Sequence, residues 1–266
     1  MGERAAVRCK EQTGTFPARR NSERGGAEPT GLRQIGNNVH LDKGRRKMNQ
    51  INYQKELDKI IAGLSGAGEK SAPDLFLHSC CAPCSSYVLE YLCSIFHITV
   101  FYFNPNISAT EEYRKRAAEQ KRLIEAYNRE GKGYPISVEE GDYDPVHFYE
   151  AVRGLENCPE GGERCFRCFD LRLRETARRA AEGGFDYFCT TLTISPLKNA
   201  RKLNEIGQAL AREYGVAWLP SDFKKREGYK RSIELSRQYG LYRQDYCGCV
   251  YSGAERRKEG QACTGG

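Results

Sequence analysis

One apolar run constrains the fold of this chain more than any other feature, because it ends in a cluster of thiols. Residues 75–79 have the pattern of a buried β-strand, and Cys80, Cys81 and Cys84 follow it directly. A helical pattern over residues 85–94 comes next. Open α/β sheets build their sites at the carboxyl ends of strands, just before a helix. The run therefore predicts an α/β fold with a thiol-rich site.

Strand and helix patterns continue to alternate along the chain. Further strands are predicted over residues 97–103, 135–138, 185–191 and 216–219, and helices over 53–64, 110–129, 144–154, 165–181 and 195–214. This alternation predicts a mostly parallel sheet with helices on both faces. A last helix over 229–239, followed by irregular chain, predicts a carboxyl-terminal lid over the top edge of the sheet.

Charge and composition divide the chain into three predicted parts. Residues 1–47 hold eleven Lys/Arg against five Asp/Glu, which accounts for +6 of the net charge of +7. They predict a disordered basic extension, with a nucleic-acid-binding arm as the alternative and Met48 as a second possible start. Residues 48–252 predict one α/β catalytic domain, and 253–266 a flexible tail. No membrane-length apolar run or secretory signal is visible, so we expect a cytoplasmic protein.

The twelve cysteines favour metal or redox chemistry over a disulfide scaffold, given no secretion signal. Cys93 and Cys189 lie in apolar surroundings and are predicted to be buried hydrophobes. Cys9 and Cys263 lie in polar tails, and Cys158 in a loop is ambiguous. The seven that remain are Cys80, Cys81, Cys84, Cys165, Cys168, Cys247 and Cys249.

The Cys165-x-x-Cys168 motif places two thiols on one face of a predicted helix. In the first turn, the positive end of the helix dipole would lower their pKa and favour thiolates. Zinc binding, a dithiol couple and a share in an iron–sulfur site all remain open.

The Cys247-x-Cys249 motif has a glycine at its centre, Gly248. Cysteines two positions apart form a disulfide only in a tight ring, and glycine permits the unusual backbone. Strained disulfides are labile and catalytic. The motif favours a redox couple, with metal ligation as the alternative.

Seven thiols are more than the four that one tetrahedral zinc site needs. A four-iron, four-sulfur cluster also takes four, which leaves a redox pair and one spare thiol. This count favours an oxidoreductase. The ligands are predicted to be Cys80, Cys81, Cys165 and Cys168, with Cys84 as the first substitute.

Basic side chains occur in two groups that could bind RNA phosphates, and a solvated helix face is the alternative for the first group. The groups are Arg172, Arg174, Arg178 and Arg179, and then Lys224, Lys225, Arg226, Lys230 and Arg231 with Tyr229 and Arg243. The candidate proton donors are Asp222, Asp245, Tyr246 and His78, of which His78 has a packed strand position as its alternative.

Several motifs together resemble one known family over residues 53–251. They are His78-Ser-Cys-Cys-Ala-Pro-Cys-Ser85, Phe101-Tyr-Phe-Asn-Pro-Asn-Ile107, Glu112-Tyr-Arg-Lys-Arg116, Glu163-Arg-Cys-Phe-Arg-Cys168, Thr190-Thr-Leu-Thr-Ile-Ser-Pro-Leu-Lys-Asn199, Ser221-Asp-Phe-Lys-Lys225 and Gly240-Leu-Tyr-Arg-Gln-Asp-Tyr-Cys-Gly-Cys249. In this order they resemble the cobalamin-independent epoxyqueuosine reductases, the QueH family.

The resemblance implies a Rossmann-like fold of the PP-loop type and reduction of epoxyqueuosine in the tRNA anticodon wobble position to queuosine. It implies a 4Fe-4S cluster on Cys80, Cys81, Cys165 and Cys168, without cobalamin. A second, single iron belongs to the family picture, and its candidate ligands here are Cys84, Asp222 and Asp245.

The resemblance also implies that Cys247 and Cys249 form a redox-active pair, re-reduced by an external electron donor. On this hypothesis the pair stores two electrons and Asp245 or Tyr246 protonates the leaving oxygen. The expected partner is tRNA, with no role for DNA or a membrane.

Two rival functions remain at this stage. A PP-loop tRNA sulfur transferase would need a Ser-Gly-Gly-x-Asp-Ser phosphate loop, and no glycine-rich cradle is visible. A zinc-stabilised RNA-binding module is the non-enzymatic alternative.

Overall fold

A computed structural model describes residues 51–65 and 72–263, so the predicted basic extension lies outside the described residues. Its strands form a single sheet in which every neighbouring pair is parallel. The strands are β1 (Asp74–Ser79), β2 (His97–Tyr102), β3 (Ser137–Glu140), β4 (Tyr187–Thr190) and β5 (Ala217–Trp218). The predicted α/β class with a parallel sheet is confirmed.

Helices connect the strands and continue beyond the last one. They are α1 (Tyr53–Ser65), α2 (Ala82–Leu92), α3 (Thr110–Glu130), α4 (Pro145–Ala151), α5 (Glu163–Glu182), α6 (Ala200–Tyr214), α7 (Gly228–Gln238) and α8 (Val250–Cys263). A short 3₁₀ turn, Thr191–Ile194, follows β4. Within the described ranges, no helix is long and apolar enough to cross a membrane.

Two cores cover the two faces of the sheet, as the alternation of side chains along β1 requires. Leu75 and Leu77 belong to a core that includes residues of α2 and α3. Phe76, between them, belongs to a second core with Phe169 of α5 and Leu203 of α6. The central strand is therefore buried on both sides, and only its carboxyl end is left to form a site.

The strand order is β3-β2-β1-β4-β5. The predicted site therefore lies where the direction in which strands are added to the sheet reverses. From β1 the chain moves outward through β2 and β3, and it then returns to add β4 and β5 on the other side. The connections after β1 and β4 diverge at this switch point, which is where ligands bind in open α/β sheets. The backbone N–H of Cys80 donates to Oγ1 of Thr191 across it, at 3.3 Å.

Two helices begin three or more residues away from their predicted first residues. Helix α2 starts at Ala82 rather than residue 85, with Pro83 in its first turn, where a missing N–H costs little. Helix α6 starts at Ala200 rather than residue 195. The side chain of Asn199 accepts a hydrogen bond from Lys202 N at 3.0 Å and caps the helix, which therefore begins five residues later than predicted.

The sequence predicts a flexible tail from residue 253, but helix α8 runs through that position to Cys263. Its first turns are tied to the rest of the protein by Glu255, which forms an ion pair of 2.9 Å with the buried Arg164. The helix has no marked apolar stripe from which its presence could have been predicted.

Candidate metal and redox centre

The end of β1 and the first turn of α2 bring three thiols together. The Sγ atoms of Cys80, Cys81 and Cys84, the thiol trio, all lie within 4.8 Å of one another. The two adjacent cysteines have their Sγ atoms 3.7 Å apart, because the chain turns between strand and helix at this point. Cys81 is buried, whereas its two neighbours are half-buried. Cys84, predicted only as a substitute ligand, is thus a full member of the group.

The three sulfur atoms set one another's protonation. Contacts from Cys80 and Cys84 hold the pKa of the Cys81 thiol well below its ordinary value. The same sulfur contacts raise the pKa of Cys84 well above its ordinary value and, chiefly through Cys81, raise that of Cys80. A thiolate supported by two further thiols is a donor set suited to a soft metal such as iron in an iron–sulfur cluster, or zinc. The residues present therefore fit a thiolate-bound metal group.

A buried polar network lies beside the trio, on the second face of β1. Nδ1 of His78 lies 2.8 Å from Oγ1 of Thr190, and Nε of Arg172 donates to Nε2 of His78 at 3.2 Å. Burial, followed by the charge of Arg172, lowers the pKa of His78 to about 3. His78 is therefore a neutral, packed residue and not a proton donor.

Arg172 is almost completely buried, at 1% exposure, and cannot bind RNA phosphates as predicted. Its guanidinium donates to Oδ1 of Asn104 and lies 4.0 Å from Sγ of Cys168. Although burial acts to lower its pKa, the charges of Cys168, Cys247 and Cys80 raise it. Arg172 is an interior cation that faces thiols from several parts of the chain.

The other arginines of α5 are engaged in ion pairs along the helix and across to neighbouring elements. Arg174 pairs with Asp170 and Glu213, Arg178 with Glu175 and Glu182, and Arg179 with Glu139 and Glu175. The structure thus favours the solvated-face alternative for this group over phosphate binding.

A second group of thiols lines a cavity together with Lys198. It contains Cys165 and Cys168 from α5 with Cys247 and Cys249 from the carboxyl-terminal segment. Burial raises the pKa of Cys168 to about 11 and that of Cys249 to about 12, and it also raises that of Cys165. Burial raises the pKa of both thiols of the Cys165-x-x-Cys168 motif, which is opposite to the lowering predicted from the helix dipole.

The thiol trio and the second group of thiols share one of the two main cores. Cys80 and Cys165 both pack against the second core, and Cys168 packs with Cys249 in a smaller cluster. Among the side chains described, no group of three or more potential ligands other than the trio lies within 4.8 Å. The assignment of Cys80, Cys81, Cys165 and Cys168 as one ligand set stays a prediction.

Gly248 allows the backbone to turn between Cys247 and Cys249. Its φ of +109° lies in the region that favours glycine, and a Cβ there would lie 2.9 Å from Cγ1 of Ile107. Nη1 of the buried Arg116 donates to the carbonyl of Cys247 at 3.1 Å and would be 3.1 Å from that Cβ. The predicted need for glycine is confirmed, and the turn is packed directly against α3 and the loop before it.

Lys198 and Glu160 were not predicted as site residues. Nζ of Lys198 lies 3.3 Å from Sγ of Cys247 and 3.5 Å from Oε1 of Glu160, and its side chain is only 9% exposed. Burial acts to lower the pKa of Lys198, but the charges of Cys247 and Glu160 raise it. Lys198 lies inside the motif 190–199 quoted above, but nothing in the local sequence indicates its partner.

Ser252, in the first turn of α8, contacts both members of the cysteine pair. Its Oγ accepts from the N–H of Cys247 at 3.1 Å, and its own N–H donates to Sγ of Cys249 at 3.4 Å. The same Oγ lies 3.4 Å from Oε2 of Glu160. Helix α8 therefore completes the site.

A cleft of about 290 Å³ opens onto these groups at the carboxyl end of the sheet. Its lining includes the thiol trio, Cys247, Lys198, Glu160, Asp245 and Tyr246. Asp245 is exposed, and the Tyr246 ring lies 5.1 Å from the guanidinium of Arg116. Asp222 is not among the lining residues; its carboxylate pairs with Lys224 at 2.7 Å.

The fold and site together define a class of protein. It is a doubly wound α/β protein whose switch point carries thiols in place of a phosphate-binding glycine loop, and Cys247 of a second cysteine pair lines the same cleft. Such a protein is suited to thiolate-based metal and redox chemistry.

Comparison with known proteins identifies the family. Residues 75–255 match the model of the family described as epoxyqueuosine reductase QueH. The chain is 45% identical over 205 residues to epoxyqueuosine reductase QueH of Streptococcus pyogenes, covering 76% of this chain and 78% of that protein. It is 44% identical to the Staphylococcus epidermidis protein of the same name, covering 78% and 87%. The chain belongs to the epoxyqueuosine reductase QueH family, a family of oxidoreductases, so the resemblance seen in its motifs is confirmed.

A solved structure that matches more distantly is the U34-tRNA thiolase NcsA from Methanococcus maripaludis with its 4Fe-4S cluster. It is 14% identical, with a TM-score of 0.41, and the match covers 74% of this chain and 67% of that one.

Proposed function

We propose that this protein reduces the epoxide of epoxyqueuosine, in the wobble position of a tRNA anticodon, to the alkene of queuosine. Family membership over residues 75–255 supports the reaction. The observation that carries the proposal to this chain is the shared cleft, in which Cys247 and the thiol trio line one space. A tRNA substrate also supports a cytoplasmic location.

The metal group that we propose is a 4Fe-4S cluster held by Cys80, Cys81, Cys165 and Cys168, which would supply single electrons to the site when bound. The protonation of the trio supports this, because Cys81 is favoured as a thiolate before any metal binds. Cys84 is a proposed ligand of a second iron, and its position within the trio supports this. Asp245 lines the cleft and is a better partner for it than Asp222, which pairs with Lys224.

Removal of the epoxide oxygen as water consumes two electrons and two protons. Oxidation of Cys247 and Cys249 from two thiols to one disulfide releases the same number of each. We propose that this pair is the electron store, and that an external reductant restores the dithiol after each turnover. Gly248 supports the proposal because it permits the tight turn that a disulfide across one residue needs.

Several side chains in the cleft or in the cavity beside it are able to hold the protons. Burial raises the pKa of Cys249 to about 12, so this residue remains a thiol at neutral pH. Lys198 carries an ammonium group against Cys247, and burial raises the pKa of the Tyr246 phenol. Asp245 and Tyr246 remain the proposed donors to the leaving oxygen because both line the cleft.

The direct test uses anaerobically purified protein and tRNA that contains epoxyqueuosine. Iron and sulfide are quantified, a reductant is added, and nucleosides from the digested tRNA are separated by mass. We expect bound iron and sulfide, with conversion to queuosine over many turnovers. Cys247→Ser is expected to abolish multiple turnover, whereas Cys93→Ser, in the apolar core, serves as the matched thiol control.

Two outcomes would contradict the proposal. A colourless protein that binds zinc and leaves the epoxide unchanged would indicate a zinc-stabilised RNA-binding module instead. Full multiple turnover by Cys247→Ser would contradict the role of the cysteine pair as electron store, but it would not contradict the proposed reaction.

A further inference from the structure

Two exposed apolar side chains border the cleft on its solvent side. Leu197, in the loop before α6, is 53% exposed, and Tyr229, in the first turn of α7, is 38% exposed. Both line the cleft, whereas Cys81 of the trio is only 2% exposed. The cleft thus runs from exposed apolar groups to buried thiols. Large apolar side chains exposed beside a site of this kind indicate a binding surface.

Arg243 adds a positive charge to the same border. It is exposed, it lines the cleft, and one of its Nη atoms donates to Oγ of Ser236 at 3.0 Å. The described side chains offer it no salt bridge, whereas Arg116 pairs with Glu112 and Lys198 with Glu160. The nearby acidic group is Asp245, which is exposed at the same border. Arg243 therefore has donors left for an incoming anion.

A polynucleotide substrate needs binding groups at the border of a deep cleft. A nucleotide must leave its stack before an enzyme can act on it in a deep site, and its neighbours then lose a stacking partner. Single-stranded RNA is held by aromatic side chains that stack on bases and by basic groups that bind the backbone. Tyr229 and Arg243 have these two chemistries, and Leu197 extends the apolar surface.

From this arrangement we infer that Leu197, Tyr229 and Arg243, the cleft mouth, bind the unpaired RNA nucleotides on either side of the one that enters the cleft. Tyr229 and Leu197 pack on the flanking bases, and Arg243 binds a flanking phosphate. The inference rests on the proposed function, which supplies an anticodon loop as substrate. A protein partner would have no need of a deep thiol site behind the same surface, so RNA is the favoured occupant.

The test measures binding of a fluorescently labelled anticodon stem–loop RNA to the anaerobic full-length protein by fluorescence anisotropy. Tyr229→Ala is expected to weaken binding about tenfold, within the range for loss of one base–aromatic stack. Tyr229→Phe, which keeps the ring, is expected to bind within about twofold of wild type by the same reasoning. Arg243→Gln is expected to reduce the dependence of log affinity on log salt by about 0.7, the value for one phosphate contact on a single strand.

Tyr134→Ala is the matched control. Tyr134 is 40% exposed, and its ring lies 4.3 Å from that of His97, at the amino end of β2. It therefore lies at the opposite end of the sheet from the cleft, and its removal should leave RNA affinity unchanged. The inference is overturned if Tyr229→Ala binds RNA as wild type does, or if Tyr134→Ala loses as much affinity.

Reduction of epoxyqueuosine in tRNA is measured on the same preparations, so that the two proposals fail separately. If the wild-type protein reduces the epoxide and Tyr229→Ala binds RNA normally, the proposed function is supported. The inference that the cleft mouth binds RNA is then overturned. A wild-type protein that binds the RNA through Tyr229 and leaves the epoxide intact would overturn the function alone. Absence of RNA binding by the wild-type protein would overturn the inference that the cleft mouth binds RNA.

Discussion

Nζ of Lys198 lies 3.3 Å from Sγ of Cys247 and 3.5 Å from a carboxylate oxygen of Glu160. A buried ammonium stabilises negative charge on an adjacent sulfur, and the half-buried carboxylate of Glu160 in turn stabilises the ammonium. Cys247, which we propose above as part of the electron store, therefore lies beside an ion pair.

Replacement of Lys198 by Met is expected to slow epoxide reduction about tenfold or more, since a loss of about 1.4 kcal/mol in stabilisation of the sulfur charge has this effect. Lys198→Arg should recover part of the rate because it keeps the charge. The measurement is the rate of queuosine formation under excess reductant. Lys202→Met, at a half-buried position in the first turn of α6 that does not line the cleft, provides the matched control; an equal loss there would contradict the assignment.

Cys81→Ser is expected to lower the iron bound by the anaerobic protein to a small fraction of the wild-type value. This thiol is the member of the trio whose pKa is held low, so it is the one most readily available as a ligand. Iron and acid-labile sulfide per chain are the quantities to measure. Cys93→Ser should retain both, and retention by Cys81→Ser as well would argue against the trio as a metal site.

Gly248→Ala is expected to inactivate the protein and to destabilise it by about 1–3 kcal/mol, the usual cost of a non-glycine residue in a strained conformation. The added methyl group would meet Ile107 and Arg116. Gly63→Ala, in helix α1, has open space around its Cβ and should instead be stabilising by about 0.5–1 kcal/mol. Urea unfolding at constant pH measures both changes, and equal signs would contradict the prediction.

Arg172→Met is expected to lower the free energy of unfolding by about 3–5 kcal/mol, the usual result of removing one partner from a buried charged network. The substitution leaves Asn104 and His78 without their donor in the interior. Arg174→Met removes a partly exposed arginine of the same helix and should change the free energy by about 1 kcal/mol or less. Comparable losses from the two substitutions would show that Arg172 is not an interior anchor.

The lowered pKa of Glu119 leads us to expect a loss of stability at acid pH. A hydrogen bond from Arg122, with a further one from the N–H of Tyr242, holds the pKa of Glu119 below its ordinary value of 4.5. A carboxyl group whose pKa is lower in the folded state stabilises the fold above its unfolded pKa, and this contribution disappears as the pH falls. Glu119→Gln should therefore cost stability at pH 7 and little at pH 3. A difference between the two proteins that does not shrink with acidification would contradict the assignment.

The fold and part of the site could be predicted because their signals are local. Apolar periodicity indicated the strand before Cys80, and the spacing of Cys247 and Cys249 around a glycine indicated a strained turn. Both follow from the chemistry of neighbouring residues in the chain.

The remaining features depend on contacts between distant segments. Lys198 reaches Cys247 across 49 positions, and no pattern near either residue indicates the contact. Arg172 was predicted at a surface because a charge pattern does not show which arginine of a helix faces the interior. The burial that raises the pKa of Cys168 likewise depends on the packing of α5 against other elements.

The position of β4 beside β1 also has a consequence for how the protein folds. His78 and Thr190, whose side chains meet at the switch point, are 112 positions apart. Contacts between segments so far apart in the chain form slowly, because a long loop must close before they stabilise anything. Until β4 docks, the thiols that follow β1 lack the neighbours that shape their surroundings and are open to oxidation. We therefore expect refolding yield to depend on keeping the chain reduced until this last pairing is complete.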